Sequence, residues 1–333
     1  MSTFSLDTSP VAAALAGTSA ETARARQACA AAIADRTPVL ILAEEGFDTR
    51  AIAHGIHANS RPGLPFVVVA PALAEPGEIE IELFGSRARQ GTHAVEVLGS
   101  ASAFLRAGRG SIFIDGVGDL PAAVQRRLAR LLRDGEAKSA GRVPAPVQVR
   151  LMASALPAIE ADVRDGRVRS DLYRRLAAQE IVVPPLRTRP GDFGALVPAV
   201  LDALSLRLAR AVPTVTQSAL TVLAALPWRR NMQELEALLE RILRAVPGDG
   251  IRQEDVLAQL SFDGAFARRG PSASLREARL RFERDYIAAV LEQHQWRMSD
   301  AARALGIERA NLYRKTRQLG ISRGAPAQAA VER

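Results

Sequence analysis

Val39-Leu40-Ile41-Leu42-Ala43-Glu44-Glu45-Gly46-Phe47-Asp48-Thr49-Arg50 contains a run of four apolar residues, a polar turn carrying a glycine, and the start of a helical pattern that continues over residues 50–58. A short apolar run bounded by turn residues reads as a strand buried on both faces. The same alternation recurs downstream. Phe66-Val67-Val68-Val69, Ser111-Ile112-Phe113-Ile114-Asp115 and residues 147–153 read as further buried strands, with helices over 121–134 and 159–176. This order predicts an α/β layer domain built on a parallel sheet.

On the N-terminal side, residues 1–36 read as a polar start and an Ala-rich helix over about 19–34. On the C-terminal side, strands are expected to stop after Pro184-Pro185, and helices follow over 194–211, 218–226, 232–245 and 253–260. The domain plan is an N-terminal helical segment over 1–36, an α/β domain over 37–186, a helical lid subdomain over 187–260, a Gly-, Ser-, Ala- and Arg-rich linker over 261–274, an all-α unit over 275–321 and a disordered tail over 322–333. The first 36 residues are too few to bury a core of their own, so no phosphorylated sensory domain is expected there.

The 333 residues are 48% hydrophobic, enough to bury cores in two or three domains. No apolar run reaches the roughly 20 residues that span a bilayer, and the first 19 lack the basic start of a secretory signal. The single cysteine, Cys29, rules out an internal disulfide framework and reads as a small helix-packing residue in a reducing cytoplasm. The net charge of +8 is unevenly placed. Between Arg268 and Arg323 thirteen Lys and Arg stand against six Asp and Glu, so this segment holds +7 and the rest of the chain about +1. A basic module on a near-neutral body is the footprint of polyanion binding.

Within that basic segment, Leu275, Phe282, Ile287, Val290 and Leu291 form one apolar helix face. Ser299 is a natural N-cap for the next helix, Ala301-Ala302 allows a close helix crossing, and Gly306 is a natural stop. A second helix over 309–319 shares a core formed by Leu305, Ile307, Leu312 and Leu319, and carries Arg309, Asn311, Arg314, Lys315 and Arg317. Arg and Asn suit guanine and adenine edges, and Lys and Arg suit phosphates. Ala301-Ala302, Leu305-Gly306-Ile307, Leu312-Tyr313-Arg314-Lys315 and Leu319-Gly320-Ile321 closely resemble the Fis-type helix-turn-helix over about 275–321. That resemblance implies a second helix in the major groove of double-stranded DNA and a homodimer formed through this domain.

Residues 37–260 resemble the central AAA+ domain of sigma-54-dependent activators, the bacterial enhancer-binding proteins. The matches fall in family order: Pro38-Val39-Leu40-Ile41, Ile56-His57, Glu82-Leu83-Phe84-Gly85, Gly110-Ser111-Ile112-Phe113-Ile114-Asp115, Asp171-Leu172-Tyr173-Arg174-Arg175-Leu176, Pro184-Pro185-Leu186-Arg187, and Pro227-Trp228 with Asn231 and Glu234-Leu235-Glu236. The family's phosphate loop, GESGTGKE, aligns with Ala43-Glu44-Glu45-Gly46-Phe47-Asp48-Thr49-Arg50, where only Glu44 and Gly46 agree. Such a loop needs glycines for close backbone approach and a lysine for the β/γ-phosphates. Phe47 is bulky, Asp48 puts a carboxylate where phosphates would sit, and Thr49 replaces the lysine. Asp115 is kept, but Gly116 replaces the water-activating Glu, Ala70 the Asn that restrains it, Leu156 the sensor Asn, and Gln233 the sensor Arg of the lid. Gly46, Asp48, Thr49, Asp115, Gly116 and Gln233 thus mark a vestigial nucleotide site. The sigma-contacting GAFTGA element is absent from residues 86–97, whose lone His93 reads as solvated surface. Arg169 and Arg175 match the arginine-finger region; a salt-bridge or packing role is the ordinary reading, and donation to an intact paralogue in a mixed ring the alternative.

The expectation is a sequence-specific DNA-binding transcription regulator with a catalytically inactive AAA+-like scaffold, cytoplasmic and nucleoid-associated, not remodelling sigma-54 polymerase. Hydrolysis needs positioning and charge stabilisation together, and the replacements fall on both. Two alternatives stay open: a divergent ATP-dependent sigma-54 activator, and a non-catalytic partner or antagonist in mixed rings with active paralogues. No catalytic residue, metal or cofactor is expected, with weak ATP or ADP binding left open. RNA polymerase and higher or mixed oligomers are further candidate partners, and no membrane is involved.

Overall fold

The computed structural model describes residues 14–87, 95–139, 143–246, 248, 250–260, 284, 287, 291, 296–305 and 308–321. Two compact units divide the chain, Met1–Ser261 and Phe262–Arg333.

The first unit opens with α1 (Ala20–Ala34), capped by Ser19, whose hydroxyl accepts the Thr22 N–H. Its inward face is Thr22, Ala25, Cys29 and Ala32, spaced as one side of a helix. Burial pushes the Cys29 thiol up to about 11, as befits a packing residue. There follow β1 (Val39–Leu42), α2 (Thr49–Ser60), β2 (Phe66–Val69), α3 (Pro76–Phe84), β3 (Glu96–Leu98), α4 (Ala103–Ala107), β4 (Ser111–Ile114), α5 (Ala122–Asp134), β5 (Glu136–Ser139), β6 (Ala145–Pro146), β7 (Arg150–Ala155), α6 (Ile159–Arg164), α7 (Ser170–Leu176) and β8 (Gln179–Val182).

Five strands form one sheet in the order β2-β4-β7-β1-β8, with every pairing parallel. The alternation of side chains along each strand divides the interior into two layers. Leu40, Leu42, Ile112, Ile114, Leu151 and Ala153 face the layer that holds α3, α4, α5 and α7. Val39, Ile41, Phe113 and Met152 face α1 and α2. The β1 run is therefore apolar throughout because both of its faces are covered. A small second sheet, β3-β5-β6, is held by charge as well as apolar burial. Arg127 of α5 donates to Glu96 through Nη2 at 2.5 Å and to Glu80 at 2.9 Å, and Arg130 pairs with the same Glu96.

The lid consists of α8 (Phe193–Arg207), β9 (Thr214–Val215), α9 (Gln217–Ala224), α10 (Asn231–Ala245), β10 (Gly250–Ile251) and α11 (Gln253–Leu260). Its core centres on the fully buried Trp228, which stacks on Phe193 and donates its indole N–H to Leu223 O at 2.8 Å. Buried Asp192 fastens the chain start to this region. It accepts Thr18 N and Ser19 N at 2.8 Å and the Ser19 and Thr22 hydroxyls at 2.6 Å.

In the second unit, α12 (Met298–Ala304) and α13 (Arg309–Gln318) pack through Ala301, Ala302 and Leu312 against Ile287 and Leu291. Trp296, Met298, Leu305, Leu319 and Ile321 complete that core. The fold is thus a parallel-sheet α/β domain with a helical lid, and an all-α helix-turn-helix unit. The linker 261–274, the tail 322–333, His93, Leu275, Phe282, Val290, Gly306 and Ile307 lie outside the described residues.

Several elements differ from the sequence reading. The helix expected over 159–176 is two, α6 and α7, because Gly166 takes φ +74 and turns the chain between them. The strand expected over 147–153 runs from Arg150 to Ala155. Strands do not end at Pro185, since β9 and β10 make a parallel pair in the lid. Ser299 is not an N-cap; α12 begins at Met298 after Arg297 and leaves Ser299 inside its first turn.

Candidate nucleic-acid interface and the loop after the first strand

Successive residues on α13 are turned by about 100°, so its buried side fixes its free side. Leu312 and Thr316 are buried, Arg314 stands opposite them, and Tyr313 and Arg317 are exposed on the flank between. Arg309 is exposed at the helix start, while Asn311 and Lys315 are half-buried along one flank. All five residues expected to meet nucleic acid are therefore on this helix, but not equivalently. The Asn311 amide oxygen accepts Arg314 Nη2 at 3.2 Å. The Arg309 guanidinium lies 5.7 Å from the Tyr313 ring centroid. In the sequence Tyr313 stood out only as part of the family motif and not as a contact residue, although its spacing of four from Arg309 was visible.

The loop after β1 meets the lid directly. Gly46 has φ +90, and a Cβ there would sit 1.9 Å from the Arg230 carbonyl, so only glycine fits. Its own carbonyl accepts Gln233 N at 3.0 Å. Asn231, fully buried, donates to Glu45 O at 3.0 Å and Glu44 Oε2 at 3.3 Å, and accepts Leu186 N at 3.0 Å. Arg187 closes a two-pronged pair on Glu44, with both contacts 2.6 Å. That guanidinium, with help from Asn231, outweighs partial burial and holds the Glu44 carboxyl below its usual value. Phe47 is partly buried and touches both the α1/α2 core and the lid core, with the buried Arg189 guanidinium 5.9 Å from its ring.

Asp48 caps α2, accepting the Ala51 N–H at 2.9 Å. A helix N-terminus is an anion site, and here the chain's own carboxylate occupies it. Thr49 donates to Asp115 Oδ1 at 3.2 Å, and Ser154 donates to the same oxygen at 2.8 Å while accepting Gly116 N at 2.9 Å. Gly116 has φ +88. Glu236 of α10 keeps solvent access, yet the protein around it and the carboxylates of Asp48 and Glu240 raise its titration, with Arg207 opposing. Leu156 is 53% exposed in the loop after β7. Arg169 is committed to Asp171 through contacts of 3.0 and 2.8 Å, and Arg175 donates to Leu132 O at 3.3 Å. Among the described residues no group of His, Cys, Asp and Glu is arranged to hold a metal ion, and no helix is long and apolar enough to cross a membrane.

A five-stranded parallel sheet with the loop after its interior strand β1 under a helical lid, in one chain with a helix-turn-helix, defines an AAA+-type transcription regulator. Residues 15–182 match the Sigma-54 interaction domain, residues 187–270 the AAA+ ATPase lid domain, and residues 279–319 the bacterial regulatory protein, Fis family. The chain belongs to the sigma-54-dependent transcriptional regulator family. It is 33% identical over 295 residues to the hydrogenase transcriptional regulatory protein HoxA of Cupriavidus necator, covering 85% of this chain and 61% of that one. To the DNA-binding transcriptional regulator NtrC of Escherichia coli it is 31% identical over 311 residues, covering 85% and 65%. The chain thus spans a little over three-fifths of the length of these relatives. The crystal structure of NtrX from Brucella abortus in complex with ATP superposes with TM-score 0.61 at 28% identity, covering 92% of this chain and 69% of that one.

Proposed function

We propose that this family member binds specific double-stranded DNA as a regulator whose AAA+-like body is a scaffold without ATP hydrolysis. The observation that carries the reading is the state of the α2 N-terminus. Asp48 satisfies Ala51 N there, and Thr49, at the position of the phosphate-loop lysine, is bonded to Asp115. These residues do not fit a nucleoside triphosphate. A carboxylate close to phosphate is electrostatically repulsive, and no lysine offsets it. Phe47 fills space between sheet and lid, and the backbone of Arg230 lies against Gly46. Binding energy then comes from α13 in the major groove, in a homodimer formed through the C-terminal unit, acting in the cytoplasm at the nucleoid with RNA polymerase as a candidate partner.

The test is phosphate release by the purified chain, with and without duplex DNA, beside DNA retention in the absence of nucleotide. Release at the level of a protein-free blank together with salt-sensitive DNA binding is the expected result. Sustained ATP turnover overturns the scaffold reading, and failure to retain any duplex overturns the DNA reading.

A further inference from the structure

We infer that Tyr313 is a positioning residue for base recognition, its ring holding the Arg309 guanidinium in the attitude in which it meets a base edge. The inference rests on the reading of α13 as the groove helix. Three observations support it. Arg309 and Tyr313 are four residues apart, so they are neighbours on the helix surface, and helical side chains lean toward the N-terminus, which carries the Tyr313 ring toward Arg309. The separation of 5.7 Å lies within the roughly 6 Å over which a ring face attracts a cation. Tyr313 is also 49% exposed, on the flank about 100° round the helix from Leu312, so burial in the core does not account for an aromatic there.

The helix start supplies the reason such a hold is needed. Arg309 is the first residue of α13, and the cap residue Glu308 makes no side-chain hydrogen bond to the first turn. A cation at a helix N-terminus is opposed by the helix dipole. Left to itself, the Arg309 side chain would swing away from that end and lose rotamer freedom on meeting DNA. The ring offers it a competing, fixed position. N-terminal residues of the second helix are the ones that reach base edges in a helix-turn-helix, so the held residue is one suited to reading sequence. Arg314, clipped by Asn311 at 3.2 Å, is pre-set in the same manner one turn on.

The experiment uses the full chain and one duplex, the consensus that the parent protein selects from a pool of short duplexes with a randomised core. Affinity for this duplex is compared with that for single-base variants and a scrambled duplex, over a salt series. Arg309→Ala is expected to lower discrimination at one base position by about tenfold. Tyr313→Leu lowers discrimination at that same position by about three- to fivefold, with an unchanged salt slope. Tyr313→Phe behaves as the parent, and the Arg309→Ala/Tyr313→Leu double variant behaves as Arg309→Ala alone. Tyr313→Met, with an unchanged melting temperature, repeats the leucine result if that variant folds poorly. Loss with Phe equal to that with Leu means the hydroxyl meets the DNA itself and overturns the inference, as does an additive double variant or an inert Tyr313→Leu. If Arg309→Ala leaves every position unchanged while DNA binding persists, the assignment of Arg309 to the groove fails first and takes the inference with it.

Discussion

Thr49 donates its hydroxyl hydrogen to Asp115 across 3.2 Å, joining the start of α2 to the end of β4. Asp115 is also held by Ser154, so its carboxylate is engaged by two neutral hydroxyls, one from α2 and one from β7. A lysine placed at position 49 would meet Asp115 beside it and Asp48 before it, and would be drawn to carboxylates rather than left free for a ligand.

Thr49→Lys alone is therefore expected to yield no phosphate release above the blank. Asp48→Gly with Thr49→Lys removes the internal anion as well, and should raise affinity for ATP by about tenfold or more without producing turnover. Equilibrium dialysis and a coupled phosphate assay check the two halves. Turnover restored by the single substitution would show that the remaining positions are competent.

His57 sets a pH dependence. It is buried, with Nε2 donating to Leu64 O at 2.9 Å and Nδ1 accepting from Ser111 Oγ at 2.8 Å in the neutral ring. Burial, aided by the positive neighbours His54, Arg61 and Arg150, outweighs the Leu64 carbonyl and lowers its titration below the usual value. Below about 6.5 the unfolded chain takes up a proton that the folded chain resists, so stability falls as pH falls. The melting temperature should drop from about pH 7.5 to about pH 5.5, and His57→Gln should reduce that drop. An equal drop in the variant would assign the effect elsewhere.

Asp192→Asn should cost about 2–3 kcal/mol, read from the shift in denaturant midpoint, because a charged acceptor of four hydrogen bonds is replaced beside the buried Arg189. Burial opposes the charged form of Asp192, but the bonds from Ser19, Thr22 and Thr18 prevail and hold its carboxyl below the usual value. A neutral amide at no cost would mean that this strap contributes little.

Arg314→Ala with Lys315→Ala should weaken binding to specific and scrambled duplexes alike and reduce the slope of log affinity against log salt by up to about 2. Unaltered affinity and slope would place the phosphate contacts on other side chains.

The parts of the fold legible in the sequence are those with a local signature. The apolar run of β1 and the continuation of the pattern into α2 were readable because burial on both faces leaves no polar residue in the strand. The small-sheet strands β3 and β5 were not, since Glu-Ala-Lys-Ser over β5 has no apolar run and the sheet is tied down by the Arg127–Glu96 pair. The break at Gly166 hid inside a continuous helical pattern. At the loop after β1, aligned residues gave the identities of Asp48, Thr49 and Gln233, but not that the main chain of Gln233 bonds Gly46. Backbone hydrogen bonds between distant segments carry no residue-type signature, and neither does the Asp192 strap.

Gly116 limits what the turn after β4 can carry. Its φ of +88 is a backbone state that any side-chain-bearing residue enters at a cost of roughly 1–2 kcal/mol. A single codon change to glutamate would therefore strain the turn between β4 and α5 before offering any new chemistry. A Cβ there would also lie 2.6 Å from the Asp119 carboxylate, so that side chain would have to turn aside before any residue larger than glycine could occupy the position.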